Sequence, residues 1–224
     1  MLELDHIFIL TQTDAPEADA VMDLGFLEGS RNTHPGQGTA NRRLFFNNLM
    51  LEFLWVRDAA ETQTANIAPI EFLARSNYRQ SGYSPFGLGL RYAPKIDAQN
   101  VDLPFETWEF RPPYLPPHLK FDIALTYPHE PLIFVMPFHS TRPDAAPSEK
   151  RQPLEHPNNL REISEVSIVL PQDKALSPAL QMLQELNFVG FEQGQEPCLT
   201  LTFDNLALHK ITGFQPQLPL IFRY

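Results

Sequence analysis

The chain has 224 residues, 43% of them hydrophobic and 20% charged, enough to bury a full core as one large domain or two small ones. A net charge of −10 and a pI near 5.1, with no basic run, disfavour nucleic acid and anionic lipid as partners. A single cysteine, Cys198, excludes an internal disulfide and a thiolate-rich zinc site, and no apolar run approaches the roughly 20 residues of a membrane span.

The start, MLELDHIFIL, has no basic n-region and no small-residue cleavage site, so no secretory signal is read and a cytoplasmic location is expected. Within it ELDHIFIL alternates, which predicts a strand with Leu4, His6, Phe8 and Leu10 on one face. DAPEADAVMDLGF then reads as a short helix, capped by Asp14, opened by Pro16 and stopped at Gly25. A strand over Phe26–Arg31, the polar loop NTHPGQGTANRR, and a hairpin of 43–46 and 49–56 about Asn47–Asn48 complete a β-α-β-β-β order over residues 1–56.

The middle of the chain is poor in helix formers. The sequence has 22 prolines against 10 glycines, where averages of about 5% and 7% would reverse the order. Many of the prolines fall between 104 and 153, where they would break helices. FGLGLRY, FETWEF, HLKFDIALTY and PLIFVMPF are four strand-like runs in a unit over 86–138, which reads as a degenerate copy whose helix is replaced by the loop APKIDAQNVDLP. Residues 139–162 form a linker by composition.

The last unit, 163–212, repeats the order of the first. EISEVSIVL is a strand, SPALQMLQELNF a helix capped by Ser177, and short strands follow at Val189–Phe191, Leu199–Phe203 and Leu206–Ile211. Laid over the first unit, it sets Glu165 against His6, Leu186-Asn187-Phe188 against Leu24-Gly25-Phe26, and FDNLALHKI against FNNLMLEFL, so that His209 meets Glu52.

A β-α-β-β-β unit with His in its first strand and Glu in its last resembles the vicinal oxygen chelate superfamily, which includes glyoxalases, bleomycin-resistance proteins and extradiol dioxygenases. The glyoxalase-like branch is matched by LDHIFIL, HPGQGTANRRLFF and LMLEFLWV. The resemblance implies an α+β fold of repeated units whose curled, mixed sheets enclose a cleft. It also implies a divalent metal (Zn, Ni, Fe or Mn) held by His6 and Glu52. Glu165 and His209 would complete the set if the last unit pairs with the first. Glu52 or Glu165 would then be the catalytic base of a lyase or isomerase, or the metal would serve a ring-cleaving dioxygenase, acting on a small oxygenated substrate. If the first unit pairs instead with the middle one, its partner strands FGLGLRY and LIFVMPF offer no good ligand, and too few donors remain for tight metal binding.

The apolar neighbours of Glu52 on both sides favour a cleft position; the competing reading is a salt bridge to Arg42 or Arg43. THPGQGTANRR lacks the ending and the following helix of a phosphate loop, and the family resemblance places it at the cleft mouth, with His34, Thr39, Asn41 and Arg42 as substrate contacts. His118, His129, His139 and His156 lie in proline-rich loops without ligand spacing and read as surface residues, and Cys198 reads as core. The alternative function is metal-free binding of a small molecule in a cleft lined by Trp55, Trp108 and Phe110. An odd number of units makes a homodimer the expected assembly.

Overall fold

A computed structural model describes residues 2–93 and 102–224 of the chain. The loop APKIDAQNVDLP falls mostly outside the described residues. The first unit contains β1 (Leu2–Leu10), α1 (Ala18–Met22), β2 (Asn32–His34), β3 (Thr39–Phe45) and β4 (Met50–Val56). Residues Phe26–Arg31, expected as a strand, are irregular; the pairing begins only at Asn32. Three short helices follow, α2 (Ala59–Thr62), α3 (Phe72–Ser76) and α4 (Tyr78–Ser81). The middle unit supplies β5 (Phe86–Tyr92), β6 (Thr107–Phe110), β7 (Phe121–Ala124) and β8 (Leu132–Val135).

These strands form one eight-stranded sheet in the order β2-β3-β4-β1-β5-β8-β7-β6. The first unit therefore pairs with the middle unit, through β1 and β5 running antiparallel. β4 is apolar almost throughout because both of its faces are covered. One face carries Phe8, Leu54, Phe121, Ile123 and Phe134; the other carries Ile7, Ile9, Leu51, Phe53, Leu88 and Ile133 in the main core.

A bulge in β1 sets this division. Leu4 pairs with Leu90 and His6 with Gly89, which leaves Asp5 as an extra residue opposite β5. The simple alternation of Leu4, His6, Phe8 and Leu10 is thereby broken: Leu4 packs against the main core, whereas Phe8 and Leu10 belong to the other face.

The last unit forms a separate five-stranded sheet, built from β9 (Ile163–Pro171), α5 (Pro178–Glu185), β10 (Gly190–Gly194), β11 (Cys198–Phe203), β12 (Ile211–Gly213) and β13 (Leu220–Arg223). Its order is β10-β9-β11-β13-β12. Here β9 pairs parallel with β10, the strand just after the helix, whereas β1 pairs parallel with β4. The two units share an order of elements and differ in how those elements pair. Ser177 caps α5 by accepting from the Leu180 amide, and Pro178 occupies the first turn, where its missing N–H is harmless.

Buried and half-buried polar side chains fasten the last unit and the linker to the first sheet. Asn48 accepts from the Ile163 amide and donates to its carbonyl. The buried Glu130 carboxylate accepts from the amides of Tyr127 and Ser177. His156, expected at the surface, is 2% exposed: its Nδ1 accepts from the Leu27 amide and its Nε2 donates to the Phe45 carbonyl. Burial holds its pKa below the ordinary value, the bond to Phe45 opposing this in part. Cys198 is buried, and burial raises its thiol pKa to about 11.

Candidate functional site: an aromatic cleft with a polar end

The eight-stranded sheet encloses a cavity of about 370 Å³. One wall comes from the first unit and carries polar groups, His6 from β1, His34 from β2, Arg43 from β3 and Glu52 from β4, among the apolar Phe8, Phe45, Met50 and Leu54. The other comes from the middle unit and is apolar, with Phe110, Phe121, Ile123, Leu132 and Phe134. Residues Ser140, Pro143, Ala146, Lys150 and Gln152 of the 139–162 segment also line it, so the linker crosses the cleft mouth as a strap.

His6 is 6% exposed and held by its neighbour. Its Nδ1 lies 2.7 Å from Asp5 Oδ1, and Asp5 Oδ2 accepts from Arg91, which also pairs with Glu3. Consecutive strand residues normally point to opposite faces; the bulge at Asp5 is what lets both reach the cavity. The ring lies against Gly89, where an added Cβ would sit 2.6 Å from His6 Cε1, and it meets Phe134 edge-on at 5.1 Å. Burial acts against the imidazolium, but the Asp5 hydrogen bond and the charges of Glu52 and Asp5 outweigh it, so the His6 pKa is raised. Burial acts likewise against the Asp5 carboxylate; His6 first, then Ser140 and Arg91, hold its pKa below the ordinary value.

Glu52 is 8% exposed and stands beside Phe8 on β1 and Arg43 on β3. Neither expected arginine engages it. Arg43 donates to the Ser30 carbonyl and hydroxyl. Arg42 points to the other face, where it binds Glu28, Asp19 and the Ala15 carbonyl. Among the described residues the Glu52 carboxylate has no hydrogen-bond or ion-pair partner; it faces the cavity. Its charge is felt by the groups around it. The Tyr114 hydroxyl pKa is pushed up by burial and then by Glu52, and that of His34 is lowered by burial, with Glu52 opposing.

Of the other expected contacts, His34 lines the cavity and stacks near Tyr114 at 5.1 Å. Asn32 Nδ2 lies 3.3 Å from its Nε2, which sets His34 Nδ1 to donate to Thr39 Oγ1 at 2.8 Å. Thr39 thus orients His34 from beneath. Asn41 is fully buried, accepts from the Asn32 amide, and leaves its Nδ2 without a partner among the described residues. Arg42 is replaced by Arg43 as the cleft arginine, because alternate residues of β3 face opposite ways.

Glu165 and His209 are not brought to His6 and Glu52. Glu165 is exposed on β9 in the second sheet, where its Oε2 accepts from Thr202 at 3.3 Å. His209 is exposed in a turn at φ 52°, just before β12, and the expected strand over Leu206–Ile211 does not form. The physical reason is the pairing of the sheets: the neighbour of the first unit is the middle unit. Among the expected aromatic walls, Phe110 lines the cleft, while Trp55 lies in the main core.

The register of the first sheet explains why the two walls differ. Ile7 pairs with Leu88, and a local two-fold through that pair carries His6 onto Gly87 and Phe8 onto Gly89. In the flanking strands, Glu52 beside Phe8 corresponds to Phe134 beside Gly89. The positions that would mirror His6 and Glu52 are therefore Gly87 and Phe134. FGLGLRY and LIFVMPF lack ligands in sequence as in structure; Arg43 was expected only as an ion-pair partner of Glu52, and Asp5, Tyr114 and the two alternating glycines carry no sequence signal of a cleft role.

A model of the glyoxalase-like domain matches residues 4–184. The chain belongs to the glyoxalase-like domain family. The family lies in the vicinal oxygen chelate superfamily, and the paired units around a cleft are its architecture here. No curated protein sequence matches the chain. Among solved structures, it is similar to the crystal structure of a hypothetical protein from Staphylococcus aureus, with a TM-score of 0.55 and 12% identity, over 100% of this chain and 98% of that one. At that identity the likeness is one of fold.

His6 and Glu52 do not make a complete donor set for a resident metal. Structural and catalytic sites of the kind expected use at least three protein ligands. Among the described residues no group of three or more His, Cys, Asp or Glu is placed to hold an ion. Gly87 and Phe134, at the positions that mirror His6 and Glu52, offer no donor atom. No helix among the described residues is long and apolar enough to cross a membrane.

Proposed function

We propose that this protein binds a small organic molecule in the first-sheet cleft without a metal ion, holding an apolar, ring-bearing body against the middle unit and a polar head against His6 and Glu52. The observation that carries this reading is the replacement of the second donor pair by Gly87 and Phe134 at the two-fold equivalent positions. Glycine there admits the Phe8 ring over the strand, and Phe134 stacks toward Phe8 with ring centroids 6.1 Å apart. What the superfamily builds as a metal centre is here half polar and half aromatic. A cavity of this size and lining lies within the range of small-molecule sites. The metal-dependent lyase, isomerase or dioxygenase reading, with Glu165 as a second carboxylate, is disfavoured by the placement of Glu165 in the other sheet and of His209 in an exposed turn of the same unit.

The test has two parts. Elemental analysis of untagged protein, after exposure to Zn, Ni, Fe or Mn, is expected to give substoichiometric metal. N-phenylnaphthylamine fluorescence is expected to report one site per chain, closed by Ile123→Trp, which fills the cavity from β7. One equivalent of metal, lost in Glu52→Gln, would sink the proposal.

A further inference from the structure

Glu52 is a carboxylate in the cavity wall with no counter-charge in contact. Of the basic groups near it, Arg91 binds Glu3 and Asp5 and His6 is bound to Asp5, while Arg43 hydrogen-bonds the neutral Ser30 and acts on Glu52 through its charge without contact. Lys150, on the strap at the mouth, is exposed. Around Glu52 the wall turns aromatic, with Phe8 as its neighbour on β1 and Phe134 across the cavity sheet. A ligand that fills the cavity takes water from the Glu52 carboxylate, and one that brings a positive charge offsets that cost. Aromatic faces add to the attraction of a cation and not of an anion. A neutral ligand would leave Glu52 uncompensated, and an anionic one would be repelled by it at short range.

We propose, resting on the metal-free cleft reading above, that the ligand is an organic cation, with an ammonium, amidinium or guanidinium nitrogen against Glu52 and an aromatic or aliphatic body against Phe8, Phe121 and Phe134. The superfamily's ligand carboxylate would then serve as the counter-ion of the bound molecule.

The test compares three molecules of nearly equal shape, naphthylmethylamine, naphthylmethanol and naphthoate, by isothermal titration with the full chain. The amine is expected to bind about tenfold more tightly than the alcohol, as for a close charge pair away from water, and naphthoate most weakly. In Glu52→Gln the amine should fall to the level of the alcohol while the alcohol is little changed. Equal binding of amine and alcohol, or an amine preference that survives Glu52→Gln, overturns the cation assignment and leaves the cleft reading standing. Tightest binding of naphthoate overturns it as well. If none of the three binds to the wild-type chain, both readings fall. Circular dichroism of Glu52→Gln guards against a folding defect, and Glu52→Asp, which keeps the charge, is expected to retain the amine preference in part.

Discussion

The two halves of the cleft sheet are related by a two-fold in register, and both line the cavity with apolar side chains, but most of the polar groups lie on one half only. The first-unit half places His6, Glu52, His34 and Arg43 on the cavity, while the middle-unit half places Phe121, Ile123, Leu132 and Phe134 there. At the dividing pair of strands the contrast is one of size, because β5 gives up two side chains, at Gly87 and Gly89, so that Phe8 and His6 of β1 can lie across it. The lesson is that a symmetric backbone can hold an asymmetric site: one half supplies hydrogen bonds and charge, the other supplies area.

That contrast can be broken from the apolar side first. Phe134→Ala removes a buried ring that meets His6, Phe8 and Phe121, and is expected to cost about 3 kcal/mol of stability, read by denaturant unfolding, and to abolish dye binding. A loss well under that figure would mean that the wall collapses to fill the space. The dividing strand comes next. Gly87→Ala sets a methyl group into the Phe8 ring and is expected to destabilise by about 1–3 kcal/mol, whereas Gly82→Ala, which meets open space, changes packing little and tests only its positive φ.

The smallest effect lies on the polar side, and its size depends on pH. His6 has a raised folded pKa, so its contribution to stability is full below the unfolded value of about 6.5 and is lost as pH rises through the folded value. Asp5→Asn weakens the hydrogen bond and charge that raise it, so the variant should lose more stability in the acid range than above neutrality. His156 runs the other way: its folded pKa is lowered, and its contribution is present above about 6.5 and lost as pH falls. NMR titration of the two imidazoles is expected to show His6 moving down in Asp5→Asn with His156 unmoved. Movement of both would indicate a general loosening of the fold.

Much of this was legible in local pattern. The strand β1, the hairpin about Asn47–Asn48 and the Ser177-Pro178 start of α5 follow from side-chain period and backbone chemistry, and each forms near its expected place. The hairpin register even contained the correction from Arg42 to Arg43, because a turn at Asn47–Asn48 sets Phe45 against Met50 and hence Arg43 against Glu52. Asp5 was not legible in this way. A single extra residue in a strand leaves no mark on composition, yet it turns Leu4 to the core and brings Asp5 and His6 to the same cavity.

The last unit marks the limit most sharply. FDNLALHKI keeps the Phe, Asn, Leu and Leu of FNNLMLEFL, but Asp204, Asn205, Leu206 and His209 all take positive φ, and the chain turns where the first unit runs straight. By itself the sequence determined that this is an α+β chain of the glyoxalase-like kind, with a carboxylate and an imidazole set among apolar strands. Which strands lie side by side was decided only by tertiary structure. Pairing between distant segments depends on how whole faces bury one another, and β1 buries its edge against β5, not β9. That choice separates Glu165 and His209 from Glu52 and gives Glu52 an aromatic wall in their place.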